Sequence, residues 1–469
     1  MSELMSELMY RLQNESTDKA IYRQALDHGL AYLDSLKDRP AFPTASALDA
    51  LRCLDEGLPD GPCATGDVLR LLHEIGAPAT IAQGGGRYFG FVNGGVIPAA
   101  LAARLLADVW DQNAALRVMS PIAAKLEAIC ETWLVDLLDL PKGSAAGFVS
   151  GTSTATLCGL LAGRNAILSR QGWDVAERGL FGAPRIRLIM SEAVHGSVSK
   201  ALAILGIGQA QIEVVAADDQ GRFDTRQLPK LDATTLLILQ AGNVNSGAFD
   251  EFATICAVAE QAGAWVHVDG AFGLWARACR ATARLTTGIE LADSWSVDAH
   301  KTLNSPYDCG IVFCKDRLTL VSALQASGSY LHFSEARDGM LYTPEMSRRA
   351  RGIELWALLK ALGRAGVDEL VAHLCARARQ FADELAGHEF RILNDVVFNQ
   401  VLVACERPEL TRATLRAIQA SGECWCGGSE WRGEPVIRIS VCSWATTEAD
   451  VRRSVAAFVA ARSQALSMI

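Results

Sequence analysis

Short apolar runs alternate with helical stretches through the middle of the chain, from about residue 145 to 315. The runs lie at 147–150, 186–190, 212–216, 236–240, 265–269, 294–297 and 311–314. Helix-like segments separate several of them, as at 155–169, 197–205 and 252–262. Apolar strands joined by helices predict an α/β fold with a mainly parallel sheet that helices cover on both faces. Because such sheets bind ligands at the carboxyl ends of their strands, functional residues are expected just after these runs.

The segments on either side of this alternation have helical patterns. Residues 1–80 have the pattern of amphipathic helices broken by prolines. After about residue 355 the chain is helix-rich again, with a strand-like run at 436–441 and a final amphipathic helix from about 448. We therefore predict a helical N-terminal segment (1–80), a large α/β domain (81–354) and a small α+β C-terminal domain (355–469).

Composition and charge limit the partners and the location of the protein. The 469 residues include 44 Lys and Arg against 53 Asp and Glu, so neither nucleic acid nor a membrane surface is an expected partner. The most apolar stretches meet a charge before they reach the roughly 20 residues of a membrane span. No apolar core of a signal peptide is present in the first forty residues, and the thirteen scattered cysteines fit reduced thiols. These features predict a cytoplasmic protein without a metal site.

The first predicted strand ends in small and hydroxylated residues. Gly151 is followed by Thr152, Ser153 and Thr154, and then by a helix. Free backbone N–H groups and hydroxyl donors at the start of a helix form a site for an anion such as phosphate. Two other interpretations stay open, a simple helix cap and a serine hydrolase with Ser153 as its nucleophile. The nucleophile pattern requires Gly two residues after the serine, where this chain has Ala155.

Two further strand ends carry charged side chains. The run at 265–269 ends in Asp269, and burying a carboxylate is costly unless it meets a cation or several donors. Lys301 follows the run at 294–297 with His300 beside it. A lysine that is shielded from water can form a Schiff base with an aldehyde, although a turn-capping aspartate and a solvent-directed lysine are alternatives. An anion site, a carboxylate and such a lysine together are what pyridoxal 5′-phosphate (PLP) requires.

Three motifs resemble those of a known family. HVDGAFG (267–273), SVDAHK (296–301) and SEAVHGSVSKA (191–201) are similar to segments of the group II pyridoxal-phosphate-dependent amino-acid decarboxylases. That family includes aromatic-L-amino-acid, glutamate and diaminobutyrate decarboxylases, and the resemblance runs from about residue 80 to the end. It implies a fold-type-I architecture, PLP as cofactor, and decarboxylation of an L-amino acid to an amine and carbon dioxide. It also implies a homodimer whose active sites lie at the subunit interface.

The resemblance assigns roles to individual residues. Lys301 would hold the cofactor covalently, and Asp269 would pair with the pyridine nitrogen. His195 would stack on one face of the ring, and Ala271 would pack against the other. His300 would help to position the phosphate and the substrate, and the hydroxylated residues after the first strand would bind the phosphate.

Two positions differ from the family pattern. Asp298 stands where the family usually has Asn, so this acid must be protonated, paired or turned away. In the family, a mobile loop carries a tyrosine that protonates the substrate carbon after carbon dioxide leaves. Tyr342 is our candidate for this residue, and Tyr330 is the alternative. Because loss of the tyrosine shifts family members towards aldehyde formation, an aldehyde synthase or an aminotransferase on the same fold stays an alternative function.

The substrate pocket is predicted in the segment 87–98. By analogy with the family, Phe89, Phe91 and Asn93 would line the pocket around the substrate side chain. Aromatic rings favour an aromatic or hydrophobic amino acid. Arg87, or an arginine of the partner subunit, would instead serve an acidic substrate.

Overall fold

The structure is a computed structural model that describes residues 7–325 and 337–468. Its helices are α1 (Glu7–Thr17), α2 (Lys19–Ser35), α3 (Ala45–Ala50), α4 (Thr65–Leu71), α5 (Pro98–Trp110), α6 (Pro121–Leu137), α7 (Thr152–Arg170), α8 (Val175–Arg178), α9 (Gly196–Ile204), α10 (Phe252–Ala262), α11 (Arg317–Leu324), α12 (Gly352–Ala386), α13 (Pro408–Ser421) and α14 (Glu448–Leu466). Its strands are β1 (Tyr88–Phe89), β2 (Ala145–Val149), β3 (Arg187–Ser191), β4 (Ile212–Val215), β5 (Thr235–Gln240), β6 (Trp265–Asp269), β7 (Ser294–Asp298), β8 (Gly310–Cys314), β9 (Arg391–Ile392), β10 (Gln400–Ala404), β11 (Trp425–Trp431) and β12 (Glu434–Ser440).

Seven of the strands form one large sheet in the order β2-β8-β7-β6-β5-β3-β4. The pairs among β3, β4, β5, β6 and β7 are parallel, whereas β8 runs antiparallel to both of its neighbours. Each apolar run of the sequence forms a strand within one or two residues of its predicted bounds. This confirms the predicted α/β fold with a mainly parallel sheet.

Helices cover the large sheet on both faces because its central strands are apolar on both sides. In β5, Leu237 and Leu239 join the core beneath α6 and α10, while Leu236 and Ile238 join the core beneath α7 and α9. All six residues of β5 are buried. Continuous apolar strands are typical of a sheet that is buried in this way.

A second sheet has the order β1-β11-β12-β10-β9 and its own apolar core. The residues of this core come mainly from α12, α13, α14 and the strands themselves. Strand β1 joins this sheet although it precedes the large sheet in the chain, and Tyr88 pairs with Trp425. Helix α12 connects the two cores and is interrupted at Gly363, whose φ of 59° is in the left-handed region. The predicted domain division at 80/81 and 354/355 stays a prediction.

The N-terminal helices α1 to α4 have no buried side chains. Several of their leucines are exposed to solvent in the single chain. Within the described part of the chain, no helix is both long enough and apolar enough to cross a lipid bilayer.

Candidate active site

The candidate site lies at the carboxyl ends of the parallel strands, where sheets of this class bind ligands. Strand β6 ends in Asp269, and β7 ends in Asp298, three residues before Lys301. Strand β2 leads through Gly151 into α7, and the segment after β3 leads to His195 at the start of α9. The sheet therefore delivers the predicted groups to one edge from four strands.

Lys301 forms an ion pair with Asp298. The Lys301 Nζ lies 3.1 Å from Asp298 Oδ2, and the Asp298 side chain is almost fully buried. The other carboxylate oxygen accepts a hydrogen bond of 2.6 Å from the backbone N–H of Thr152 and lies 3.6 Å from His300 Nε2. The acid that replaces the family asparagine is thus paired, which is one of the three states that the sequence allowed.

Asp269 is buried close to Lys301 and His195. Its Oδ1 accepts a hydrogen bond of 3.1 Å from the backbone N–H of Ala271. Burial raises the pKa of Asp269, and the positive charges of Lys301 and His195 offset only part of this effect. A further cation beside Asp269 would stabilise its carboxylate, and a protonated pyridine nitrogen is such a cation.

The two histidines of the site are held in different ways. His195 caps α9, because its Nδ1 accepts a hydrogen bond from the backbone N–H of Ser197 at 3.2 Å, and its ring stays exposed. His300 is buried, and its Nδ1 accepts a hydrogen bond from the backbone N–H of Cys309 at 3.1 Å. Burial lowers the pKa of His300, so the neutral ring carries its proton on Nε2, the nitrogen nearest Asp298.

The start of α7 meets the requirements of a phosphate site. Thr152 is buried, and its Oγ1 has no hydrogen-bond partner. Such an atom is unusual in a folded protein and indicates a ligand that is bound there in the functional state. Ser153 is exposed, and the Thr154 hydroxyl lies 3.2 Å from that of Ser150. With Lys301 and Asp269 nearby, these residues fit PLP.

The structure separates the two phenylalanines that the sequence assigned to the substrate pocket. Phe89 is fully buried in β1 and packs edge-to-face on Phe381, so it belongs to the second core and is not brought to the site. Phe91 is 62% exposed and stacks on Trp425 with the ring centroids 5.5 Å apart. The physical reason is the backbone, since φ becomes positive at Phe91 and Val92 and turns the chain out of the strand.

Asn93 and Arg87 have hydrogen-bond partners within the chain. The Asn93 Oδ1 accepts a hydrogen bond of 3.2 Å from Tyr307, whose ring lies 4.2 Å from that of His300. Asn93 therefore contacts the environment of Lys301 through Tyr307. Arg87 is 5% exposed and donates to the backbone carbonyls of residues 37, 39 and 423. It is committed to these carbonyls rather than directed towards an acidic substrate.

Tyr342 lies apart from this group in the described chain. Its hydroxyl accepts a hydrogen bond of 2.8 Å from Arg317, and the Arg337 guanidinium lies 4.0 Å from its ring centroid. Both arginines also pair with Glu131. The structure does not bring Tyr342 together with Lys301, and Tyr330 lies outside the described residues, so the identity of the proton donor stays a prediction.

Asn304 organises the loop around Lys301 and was missed from the sequence. Its Oδ1 accepts hydrogen bonds from the backbone N–H groups of Gly95 and Trp444, at 3.0 and 2.9 Å. Its Nδ2 lies 2.9–3.0 Å from the carbonyl oxygens of Lys301, Thr302 and Cys442. One amide therefore joins the predicted substrate segment, the lysine loop and a C-terminal loop. The φ of Asn304 is positive, at 58°, a conformation that Asn tolerates well and that the sequence alone does not reveal.

Arg438 was also missed, although it is the one charged residue within the strand-like run at 436–441. It lies on β12, and its charge lowers the pKa of His195, so it lies near the site. Its Nε is buried without a hydrogen-bond partner. Burial lowers the pKa of Arg438, and among the described residues it forms no ion pair. A carboxylate ligand would supply the missing partner.

Comparisons with known proteins identify the family of the chain. Residues 66–405 match the family model of the pyridoxal-dependent decarboxylase conserved domain. The chain is similar to tyrosine decarboxylase 2 of Arabidopsis thaliana (26% identity, 90% of this chain and 82% of that protein). It is also similar to an acidic amino acid decarboxylase of Mus musculus (28% identity, 72% of this chain and 62% of that protein). The structure superposes on that of Oryza sativa TDC with PLP and tryptamine with a TM-score of 0.87, at 22% identity over 95% of this chain and 97% of that one.

The chain therefore belongs to the pyridoxal-dependent decarboxylase family. This confirms the resemblance seen in the sequence, the fold-type-I architecture, PLP as the cofactor and the carboxy-lyase class. It leaves no support for a serine hydrolase based on Ser153. The roles of the individual site residues stay predictions.

Proposed function

We propose that this protein decarboxylates an aromatic or hydrophobic L-amino acid to the corresponding amine, with Lys301 as the residue that holds PLP. The observation that carries the proposal is the grouping of Lys301, Asp269 and the unpartnered Thr152 hydroxyl at one edge of the sheet. Family membership gives the reaction class, and the residues of the pocket suggest the substrate.

Each residue of the site would have its own role in binding PLP. Bound PLP supplies a ring that accepts the electrons left when carbon dioxide departs. Asp269 would keep the ring nitrogen protonated, and Thr152, Ser153 and Thr154 would hold the phosphate. His195 and Ala271 would fix the plane of the ring from its two faces. A ring that is fixed in this way also fixes which bond of the substrate stands perpendicular to it, and this orientation favours decarboxylation over transamination.

The surroundings of Phe91 support an aromatic or hydrophobic substrate. Phe91, Trp425 and Tyr88 form an aromatic stack beside the segment that Asn304 attaches to the lysine loop. Arg87, the basic residue of this segment, is committed to backbone carbonyls. We assign Arg438 to the α-carboxylate that every amino-acid substrate carries, so it does not select an acidic side chain.

A homodimer is part of the proposal because many apolar side chains are exposed on the single chain. On the N-terminal helices and on α5 they include Leu8, Leu12, Leu26, Leu30, Leu33, Leu105, Leu106 and Val109. Contiguous exposed apolar surface is typical of an interface between proteins. A location in the cytoplasm is also proposed, and the thirteen free thiols agree with a reducing compartment.

The test is a panel of L-amino acids supplied to the PLP-loaded enzyme. We expect carbon dioxide and amine from tryptophan, tyrosine or phenylalanine, and little product from glutamate or 2,4-diaminobutyrate. Release of carbon dioxide only from glutamate or the diamino acid would contradict the proposed substrate class. An oxo-acid without carbon dioxide would indicate an aminotransferase, and an aldehyde with hydrogen peroxide would indicate an aldehyde synthase. Sedimentation of the same sample at several concentrations tests the dimer.

A further inference from the structure

Asp298 is a buried acid between Lys301 and the start of helix α7. Its Oδ2 lies 3.1 Å from Lys301 Nζ, and its Oδ1 accepts a hydrogen bond of 2.6 Å from the Thr152 N–H. The residue is only 2% exposed, so little water screens it. Given the proposed function, its two oxygens face the two positions that a phosphorylated aldehyde must occupy, the amine and the phosphate site.

An entering phosphate conflicts with the charge of Asp298. A phosphate at the start of α7 would lie beside the Asp298 carboxylate, which already accepts the Thr152 N–H, and two buried anions repel each other. In addition, an ammonium group has no free electron pair and cannot attack a carbonyl carbon. Transfer of one proton from Nζ to Oδ2 removes the charge conflict while the cofactor enters, and it leaves a neutral amine that can attack the carbonyl carbon.

We propose that Asp298 is the base that takes a proton from the Lys301 ammonium when the cofactor enters, and that it returns this proton as the covalent bond forms. One Nζ–H bond breaks, and its electron pair stays on nitrogen. The nitrogen then attacks the carbonyl carbon, and the carbonyl oxygen leaves as water. One hydrogen of this water comes from the nitrogen and the other from Asp298, which becomes a carboxylate again beside a positively charged nitrogen.

Several other titratable groups surround Asp298. They are Lys301 and His300 from its own loop, Asp269 from β6, His195 from α9, Tyr307 and Cys309 from the following segment, and Cys442 from the C-terminal loop. Burial lowers the pKa of His300 and raises the pKa of Tyr307 and of both thiols, so these groups are neutral near pH 7. Asp298 is the acid in direct contact with the amine.

The experiment follows cofactor loading rather than turnover. Apoenzyme is mixed with PLP from pH 7.0 to 8.5, and the absorbance of the covalent complex gives the rate constant. We expect the rate constant of the wild type to change little over this pH range. For Asp298→Asn we expect slower loading at pH 7 and a rise of about tenfold per pH unit, because the amine must then lose its proton to solvent. Binding of pyridoxine 5′-phosphate, which has no aldehyde, should be tighter in this variant, because the charge that repels the phosphate is absent.

Asp293→Asn is the matched control. Asp293 precedes β7 at the opposite end of the strand and accepts a hydrogen bond of 2.8 Å from the Val266 N–H. We expect it to load with the pH dependence of the wild type. If Asp298→Asn and the wild type load PLP at equal rates and with the same dependence on pH, the proposal is overturned.

A second comparison uses the wild type alone and covers the case in which Asp298→Asn does not fold. Pyridoxal lacks the phosphate that drives the proton transfer, so its loading should rise about tenfold per pH unit while that of PLP stays constant. The same slope for both aldehydes would overturn the proposal. Failure of the wild type to form any covalent complex would instead overturn the proposed function.

Discussion

Removal of the Asn304 amide should destabilise the protein strongly, because one side chain serves three loops. Its amide oxygen accepts two hydrogen bonds and its two N–H groups donate two among three carbonyl contacts, and these bonds connect the Gly95 loop, the Lys301 loop and the segment of Cys442 and Trp444. With roughly 1 kcal/mol for each of these four bonds, Asn304→Gly should lower the free energy of unfolding by about 4 kcal/mol. Glycine adopts the observed φ of 58° without strain, so this variant loses the bonds without backbone strain and adds only the entropic cost of a glycine, about 0.5–1 kcal/mol.

Asn304→Ala separates the backbone contribution from the hydrogen bonds. Alanine loses the same bonds and also places a Cβ in the left-handed region, which costs about 1–2 kcal/mol more. Asn304→Asp keeps the two bonds accepted by Oδ1, but it places a buried carboxylate oxygen against the carbonyl oxygens that Nδ2 contacts in the wild type. The expected order of stability is therefore wild type, Gly and Ala, and the Asp variant should be less stable than Gly.

Urea unfolding followed by circular dichroism measures this series, and substrate titrations measure its effect on the site. The Michaelis constant for an aromatic substrate should rise in Asn304→Gly, because the segment with Phe91 is no longer fixed to the lysine loop. An Asn304→Gly protein that unfolds within about 1 kcal/mol of the wild type would refute the summed hydrogen-bond argument.

Four further variants test the site and the fold. Lys301→Ala should bind PLP without a covalent bond, so borohydride should fail to fix the cofactor to the chain. Asp269→Asn should lower kcat about a hundredfold while leaving covalent loading intact, because a charged partner of the ring is lost; an unchanged kcat would contradict its role. Phe91→Ala should raise the Michaelis constant for aromatic substrates about tenfold and leave PLP affinity unchanged, as equilibrium binding would show. Asp250 lies two residues before α10, where its buried carboxyl group accepts the N–H groups of Phe223 and Gln240. Burial raises the pKa of Asp250 to about 7, so its stabilising contribution is full below pH 4 and is lost as the pH rises to 7. Unfolding measured at both pH values should show this loss in the wild type and not in Asp250→Asn.

The strands and the grouping of the candidate cofactor residues at one edge of the sheet could be predicted from the sequence because their signals are local. A run such as that of β5 is apolar on both faces, and this is sufficient to identify a buried strand. Parallel strands then place their carboxyl ends at one edge, so Asp269 and Lys301 could be expected to meet without knowledge of any contact. The position of Thr152 follows from the same rule.

The part of the site that would bind the substrate side chain could not be predicted in this way, because it depends on contacts between segments that are distant in the sequence. Strand β1 pairs with β11, and in this position Phe89 is buried against Phe381 of α12 while Phe91 turns outward. The hydrogen bonds from Asn304 to Gly95, Cys442 and Trp444 join segments that are more than a hundred residues apart. No local pattern around Asn304 distinguishes it from the asparagine of an ordinary turn.

The candidate cofactor residues and the candidate substrate residues differ in how the fold holds them. The candidate cofactor residues lie at or just after the ends of strands whose packing fixes their positions. Phe91 and Val92 lie outside the strands, with positive φ, on a segment that Asn304 attaches to the lysine loop. Substitutions on this segment should therefore alter which amino acid is accepted and leave the attachment of PLP to Lys301 intact. A set of variants at Phe91 and Asn93 that changed cofactor affinity as much as substrate preference would show that the two groups of residues are not independent.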